Sequence, residues 1–153
     1  MLSMKAKYGL RAMLLLARKY GQGPILISDI AEKEAIPKKF LELILLELRN
    51  KGCLHSRKGK GGGYYLGKSP HEISMGEIIR ILDGPLAPIP CVSLTAYRRC
   101  TDCPDERTCG IRVVMKEVRD STAKILDGTT LADVLLRTDR LSDQAQVTLS
   151  YQI

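Results

Sequence analysis

No stretch of this sequence is long and apolar enough to span a membrane. The apolar run Ala12–Ala17 is short and closed off by Arg11 and Arg18, and no small-residue cleavage pattern follows it, so it does not read as a secretion signal. Internal repeats are missing. Histidine is scarce: His55 and His71 are the only two, and neither follows the cysteine-rich segment. No alternation of strand and helix surrounds those cysteines, which argues against a thioredoxin-like enzyme. The five cysteines make an odd count without an export signal. The expected location is therefore the cytoplasm, where structural disulfides are rare and clustered cysteines more often bind metal. What remains is a chain of 153 residues, 44% hydrophobic, enough for one ordinary core or a core plus an appendage. It carries 24 basic against 17 acidic residues, a formal +7.

The stretch Ile27–Leu66 organises the rest. Ser28 suits an N-cap with Asp29 behind it, predicting a short helix over Asp29–Lys33. Pro37 suits the first position of a longer helix that runs to about Asn50 and ends at Gly52. Short helix, tight joint, longer helix is the layout of a helix-turn-helix. Cys53–Arg57 then reads as a strand, Lys58–Gly63 as a basic glycine turn and Tyr64–Leu66 as the returning strand. The fold class is mainly α with a small β-wing: a winged helix-turn-helix followed by a long dimerisation helix. Arg49, Lys51, Arg57, Lys58, Lys60 and Lys68 crowd the wing, and such clustering points to nucleic acid.

The longer helix separates into two faces. Leu41, Ile44, Leu45 and Leu48 form a core-facing stripe. Lys39, Glu42, Leu43 and Leu46 lie opposite. Lys38 and Lys39 occupy the first turn, where a recognition helix enters a groove. Glu42 can accept from a cytosine amino group and Leu43 can touch a thymine methyl, whereas Leu46 reads as packing. Ser28, Lys38, Lys39 and Glu42, with Arg57, Lys58, Lys60, Gly61, Gly62 and Tyr64 of the wing, form the candidate DNA-binding set.

Elsewhere, Met4–Tyr20 predicts an amphipathic helix with Leu10, Met13, Leu14 and Ala17 inward, and Ile25–Ile27 a short strand beside the wing. Ser74 to Glu77 reads as a capping box opening a helix to Asp83. Pro85, Pro88 and Pro90 exclude regular structure after Gly84. Gly110–Asp127 predicts a long helix whose apolar residues include Ile111, Val114, Met115, Val118 and Ile125, with Leu126 beside them; this stripe needs the amino-terminal domain or a second copy of itself to cover it, and the first five are the candidate dimerisation set. A short helix from Thr130 to about Arg137 follows, then a mobile tail. The expected organisation is a DNA-binding domain over 1–83, a cysteine loop over 84–109, the dimerisation and short final helices over 110–137, and a tail over 138–153.

Between them lies CVSLTAYRRCTDCPDERTCG. Cys91, Cys100, Cys103 and Cys109 fall within nineteen residues at spacings of eight, two and five. Soft thiolates in one polar loop suit an iron–sulfur cluster or zinc. Cys53, between Gly52 and Leu54, reads as a small buried residue.

These pieces together resemble the IscR/NsrR-type bacterial winged-helix regulators of the Rrf2 superfamily. The likeness runs through Tyr8-Gly9-Leu10-Arg11-Ala12, Ile36-Pro37, Phe40-Leu41-Glu42, Gly59-Lys60-Gly61-Gly62-Gly63-Tyr64, Ile78-Ile79-Arg80, Asp83-Gly84, the cysteine loop and Thr129-Thr130-Leu131-Ala132-Asp133. It covers residues 1 to about 137. The resemblance implies a repressor-type regulator that is not an enzyme. It further implies a homodimer with long helices crossing at its axis, a palindromic double-stranded DNA operator, and a [2Fe–2S] or [4Fe–4S] cluster that senses iron, redox state or nitric oxide. The base-contacting glutamate of that family falls on Glu42 and its wing arginine on Lys58, while a neighbouring glutamine is replaced by Leu43. Its three cluster cysteines fall on Cys91, Cys103 and Cys109. Cys100 is extra, and no histidine stands after Cys109, where Arg112 lies instead. Lys7 and Tyr8 occupy the turn where other members carry an acidic ligand from the partner chain. Cys100 is therefore either a fourth ligand or a spare thiol. Three alternatives stand beside this reading: a structural zinc or thiol switch, a thiol–disulfide enzyme using Cys100 and Cys103, and an interaction module using the carboxy-terminal helix.

Overall fold

The computed structural model describes residues 2–151. Six α-helices and one two-stranded sheet follow in order: α1 (Met4–Arg18), α2 (Ile27–Glu34), α3 (Lys38–Asn50), β1 (Leu54–Arg57), β2 (Gly63–Leu66), α4 (Met75–Asp83), α5 (Gly110–Asp127) and α6 (Leu131–Ser150). The fold is mainly helical with a small antiparallel wing, as the sequence predicts.

Helix α1 lies at the centre, packed against α4, α3, α6, α2 and β2. Ser3 caps it by accepting from the Ala6 N–H. Met13 of α1, Ile30 of α2, Leu41, Ile44, Leu45 and Leu48 of α3, Leu54 of β1 and Ile78 of α4 lose all contact with water in one core. Each such side chain contributes about 1.5–3 kcal/mol on leaving water. The chain's one phenylalanine, Phe40, meets Tyr8 edge-on with ring centroids 5.7 Å apart.

Helix α2 begins at Ile27, earlier than predicted, with Leu26 in the N-cap position and no side-chain cap. Ser28 therefore lies inside the first turn and caps nothing. The predicted strand Ile25–Ile27 shrinks to one residue: Ile25 forms an antiparallel bridge to Tyr64, with N–H···O distances of 2.9 and 2.8 Å. Those two bonds hold the chain beside the wing, and it turns into the helix immediately after them. The joint before α3 places Ala35 in the left-handed region (φ 50°). Pro37 is the N-cap of α3 rather than its first residue, and its carbonyl accepts from Leu41 N–H at 3.0 Å. In the wing, Leu54 pairs with Leu66 and Arg57 with Gly63.

The end of the chain differs most from expectation. Helix α6 does not stop near Arg137 but runs to Ser150, where a mobile tail over 138–153 was predicted. No glycine or proline follows Gly128 to break it. Thr130 and Asp133 form a capping box at its start, and Thr138, Ser142 and Thr148 hydroxyls bond back to carbonyls four residues earlier. Arg18 of α1 pairs with Asp139 at 3.0 Å. Gln152 and Ile153 lie outside the described residues. The start of α6 is stitched to α4: Met75 N–H donates to Thr129 O and Leu131 N–H to Ile73 O, both at 2.9 Å. Leu131 is buried in the common core.

Candidate DNA interface and cysteine site

Helix α3 presents the two predicted faces. Leu41, Ile44, Leu45 and Leu48 are buried, while Lys38, Lys39, Glu42, Leu43 and Leu46 are exposed. Leu46 is therefore not the packing residue that its neighbours suggested; it stays 39% exposed beside Leu43 at 59%. Lys38, Lys39 and Glu42 make no ion pair among the described residues, which leaves them free for an external partner.

Arg57, Lys58, Lys60 and Gly61 are exposed on the wing, Tyr64 is half-buried and Gly62 is buried. A Cβ on Gly62 would lie 2.2 Å from Arg57 O and 2.8 Å from Gly59 O, so the turn itself demands glycine there. Gly61 and Gly62 line a groove of about 400 Å³ with Leu26, Asp29 and Lys33, placing the wing tip beside the start of α2 and the exposed Ser28. Two of the predicted wing cations are engaged elsewhere. Lys68 Nζ pairs with Glu77 at 2.8 Å, and Arg49 donates to Ser56 Oγ at 3.2 Å. Cys53 is buried as expected; burial first, then the Glu77 carboxylate, push its thiol up to about 12, so it stays protonated.

The other four cysteines come together. Cys91, Cys100, Cys103 and Cys109 all line one cavity of about 520 Å³. Cys91 is buried in a 3₁₀ turn (Pro90–Val92), Cys100 is exposed, and Cys103 and Cys109 are half-buried. Loss of water first, and then the neighbouring Cys109 thiol, push Cys103 above its ordinary value. Arg98, Arg99 and Arg112 share the cavity wall with a single carboxylate, Glu106. That excess of positive charge suits a thiolate-bound centre, which is anionic overall. Among the described residues no three His, Cys, Asp or Glu side chains converge closely enough to hold one metal ion.

Two arginines on α5 hold this loop, and sequence reasoning did not find that role. Arg112 Nε donates to Cys91 O at 3.3 Å and Arg119 to Val92 O at 2.5 Å. The signal was periodic: Arg112, Met115, Arg119, Thr122 and Leu126 are the less exposed side of the helix. Met115, grouped with the dimerisation residues on sequence, belongs to this inward side. Ile111, Val114, Val118 and Ile125 are exposed on the other.

Residues 2–137 match a family model described as an iron-dependent transcriptional regulator, Rrf2. The chain belongs to the Rrf2 family. An rrf2-like HTH-type transcriptional regulator of Rhodobacter capsulatus is 45% identical over 138 residues, 88% of this chain and 92% of that protein. Among solved structures, the global cysteine regulator CymR of Bacillus subtilis superposes with a TM-score of 0.73 at 36% identity, covering 88% of this chain and 95% of that one. An IscR of T. potens gives 0.72 at 31% identity, covering 90% and 88%. This Rrf2-family protein is a winged-helix, DNA-binding transcription regulator and not an enzyme. No described helix is long and apolar enough to cross a membrane.

Proposed function

We propose that this regulator acts as a cytoplasmic homodimer on a palindromic operator, and that an iron–sulfur cluster bound by Cys91, Cys100, Cys103 and Cys109 controls its affinity for DNA. The observation that carries the proposal is the cavity that all four cysteines line. The donor set fits: four soft thiolates are the ligands such clusters take. Bound there, the group would supply a centre whose charge and integrity respond to iron supply, oxidants or nitric oxide.

The residues of the chain supply the rest. Lys38, Lys39 and Glu42 of α3 would enter the major groove, and Lys58 and Lys60 would neutralise phosphate from the wing, with Ser28, Arg57, Gly61 and Tyr64 close to the backbone. Ile111, Val114, Val118 and Ile125, at successive intervals of three, four and seven residues along α5, would meet the same stripe of a second copy. A contiguous exposed apolar surface of that kind marks an interface. One helix would thus carry the dimer contact on one face and the cysteine loop on the other.

A second reading keeps DNA binding and makes the thiols themselves the sensor, or fills the site with zinc. The proximity of Cys109 to Cys103 and the likeness to a global cysteine regulator favour it. Alanine variants separate the two. Replacing Cys91, Cys103 or Cys109 should abolish iron retention and change operator affinity in anisotropy titrations. Replacing Cys100 should do so if the site takes four thiolates. Iron-free protein with unchanged DNA affinity in every variant would remove the cluster from the mechanism.

A further inference from the structure

Ser74 and Glu77 have the spacing of a capping box, in which each side chain satisfies the other's backbone donor. Only half of it forms. Ser74 Oγ accepts from Glu77 N–H at 3.1 Å, but the Glu77 carboxylate turns away from the cap. Its Oε1 accepts from Lys68 Nζ at 2.8 Å and from the Cys53 thiol at 3.5 Å. Lys68 lies just after β2 and Cys53 just before β1, so one carboxylate grips both ends of the wing hairpin. One turn further along the same helix, Arg80 makes a two-pronged pair with Asp127, the last residue of α5, at 2.5 and 2.8 Å. Gly76 permits that approach: a Cβ there would lie 2.1 Å from Asp127 Oδ1. The opposite side of α4, through Ile78, Ile79 and Leu82, is buried in the core.

We propose that Glu77 and Arg80 are positioning residues for DNA binding: on adjacent turns of α4, they tie the base of the wing and the end of α5 to one rigid helix. The pairs are partly exposed, with side-chain exposures between 32% and 46%, so they add little to global stability. Their geometry matters more. An isolated hairpin of four-residue strands holds its orientation poorly. Anchoring both of its ends to the carboxylate fixes the direction in which Lys58 and Lys60 point. The Arg80–Asp127 fork fixes α4 against α5 in turn, so a tilt of α5 reaches the wing through a single helix. The Cys53 thiol, held protonated, keeps its donor role across the physiological range.

This inference rests on the proposal that the wing touches DNA, and its test separates the two. Operator affinity is measured by fluorescence anisotropy for Glu77→Gln, Arg80→Gln and Lys60→Ala, singly and with Lys60→Ala combined with each of the others. Melting temperatures accompany each measurement. Lys60→Ala alone should weaken binding. Glu77→Gln and Arg80→Gln should weaken it about tenfold with little change in melting temperature, and most of that loss should vanish in the Lys60→Ala background, because groups acting through one contact are not additive. Losses of equal size in both backgrounds, or none in either, would overturn the positioning role while leaving the wing contact intact. A Lys60→Ala variant with unchanged affinity would instead remove the wing from DNA binding, and the positioning role with it.

Discussion

The Arg119 guanidinium donates to the carbonyl of Val92 across 2.5 Å, and the arginine side chain is only 11% exposed. Val92 follows Cys91 directly. The backbone beside the first cysteine is therefore held by the inward face of α5, whose outward face carries the apolar stripe. A hydrogen bond from a charged donor contributes about 1.5–3 kcal/mol net when shielded. Arg119→Ala should free the Pro90–Val92 turn and lower iron retention after desalting, although every cysteine remains. Arg119→Lys should recover part of it, since one ammonium cannot reproduce the planar fork. Iron content equal to that of the unsubstituted protein would show that the loop needs no help from α5.

Assembly should fail on one substitution. Val118 is 44% exposed at the centre of the stripe. Val118→Asp would place a carboxylate opposite apolar surface in the proposed interface, and sedimentation velocity should report monomers that bind operator poorly. The same outcome is expected for Val114→Asp. Met115→Asp should act differently: its side chain lies on the less exposed side of α5, and a carboxylate there should lower thermal stability as well. A Val118→Asp protein that still sediments as a dimer would place the interface elsewhere.

Base reading and phosphate contact should separate cleanly. Glu42→Ala should relax preference at one operator position by about 1–3 kcal/mol, the range of a good base contact. Lys60→Ala should weaken specific and non-specific DNA alike and flatten the dependence of log K on log salt by roughly one unit. Competition with operators varied at single positions, repeated at several salt concentrations, distinguishes the two patterns. Gly62→Ala should mimic neither: the turn must open to relieve its contact with Arg57 O, and wing-dependent affinity should fall at every salt concentration.

The Arg80–Asp127 pair gives a pH signature. Arg80 holds Asp127 below the ordinary carboxylate range. A carboxyl with a depressed value in the fold adds stability that is fully present above its unfolded value, about 3.9, and is lost as pH falls through the folded value. With both groups more than a third exposed, the gain is about 1 kcal/mol or less. Urea unfolding should therefore find Asp127→Asn slightly less stable at neutral pH and indistinguishable in strong acid. A difference that grows on acidification would contradict this electrostatic account.

The helix-turn-helix and wing were legible because their punctuation is local. Pro37 and Gly52 bracket α3, and the spacing of Leu41, Ile44, Leu45 and Leu48 at i, i+3, i+4 and i+7 sets the buried face. The cysteine cavity was legible as a cluster of ligand types, but not through the arginines that hold it, since Arg119 reaches Val92 across 27 positions. Ser28 and Glu77 were misassigned for one reason. A cap is a local option, and a tertiary partner can outbid it: the Ile25–Tyr64 bridge starts α2 early, and Lys68 with Cys53 draws the Glu77 carboxylate away. Helix α6 beyond Arg137 left no signal because it has no buried stripe there; Leu141, Val147 and Leu149 are all exposed.

The central claim is that a cluster at the cysteine loop governs DNA binding by this Rrf2-family regulator. The most direct measurement is anaerobic reconstitution with iron and sulfide, followed by a visible spectrum, iron and acid-labile sulfide analysis, and operator titration of the same sample. The account predicts a coloured protein with matching iron and sulfide, an operator affinity that differs from that of the iron-free form, and a reciprocal change in cluster stability when operator is added. A colourless protein that instead takes up one zinc per chain, with operator affinity indifferent to iron and sulfide, would contradict it.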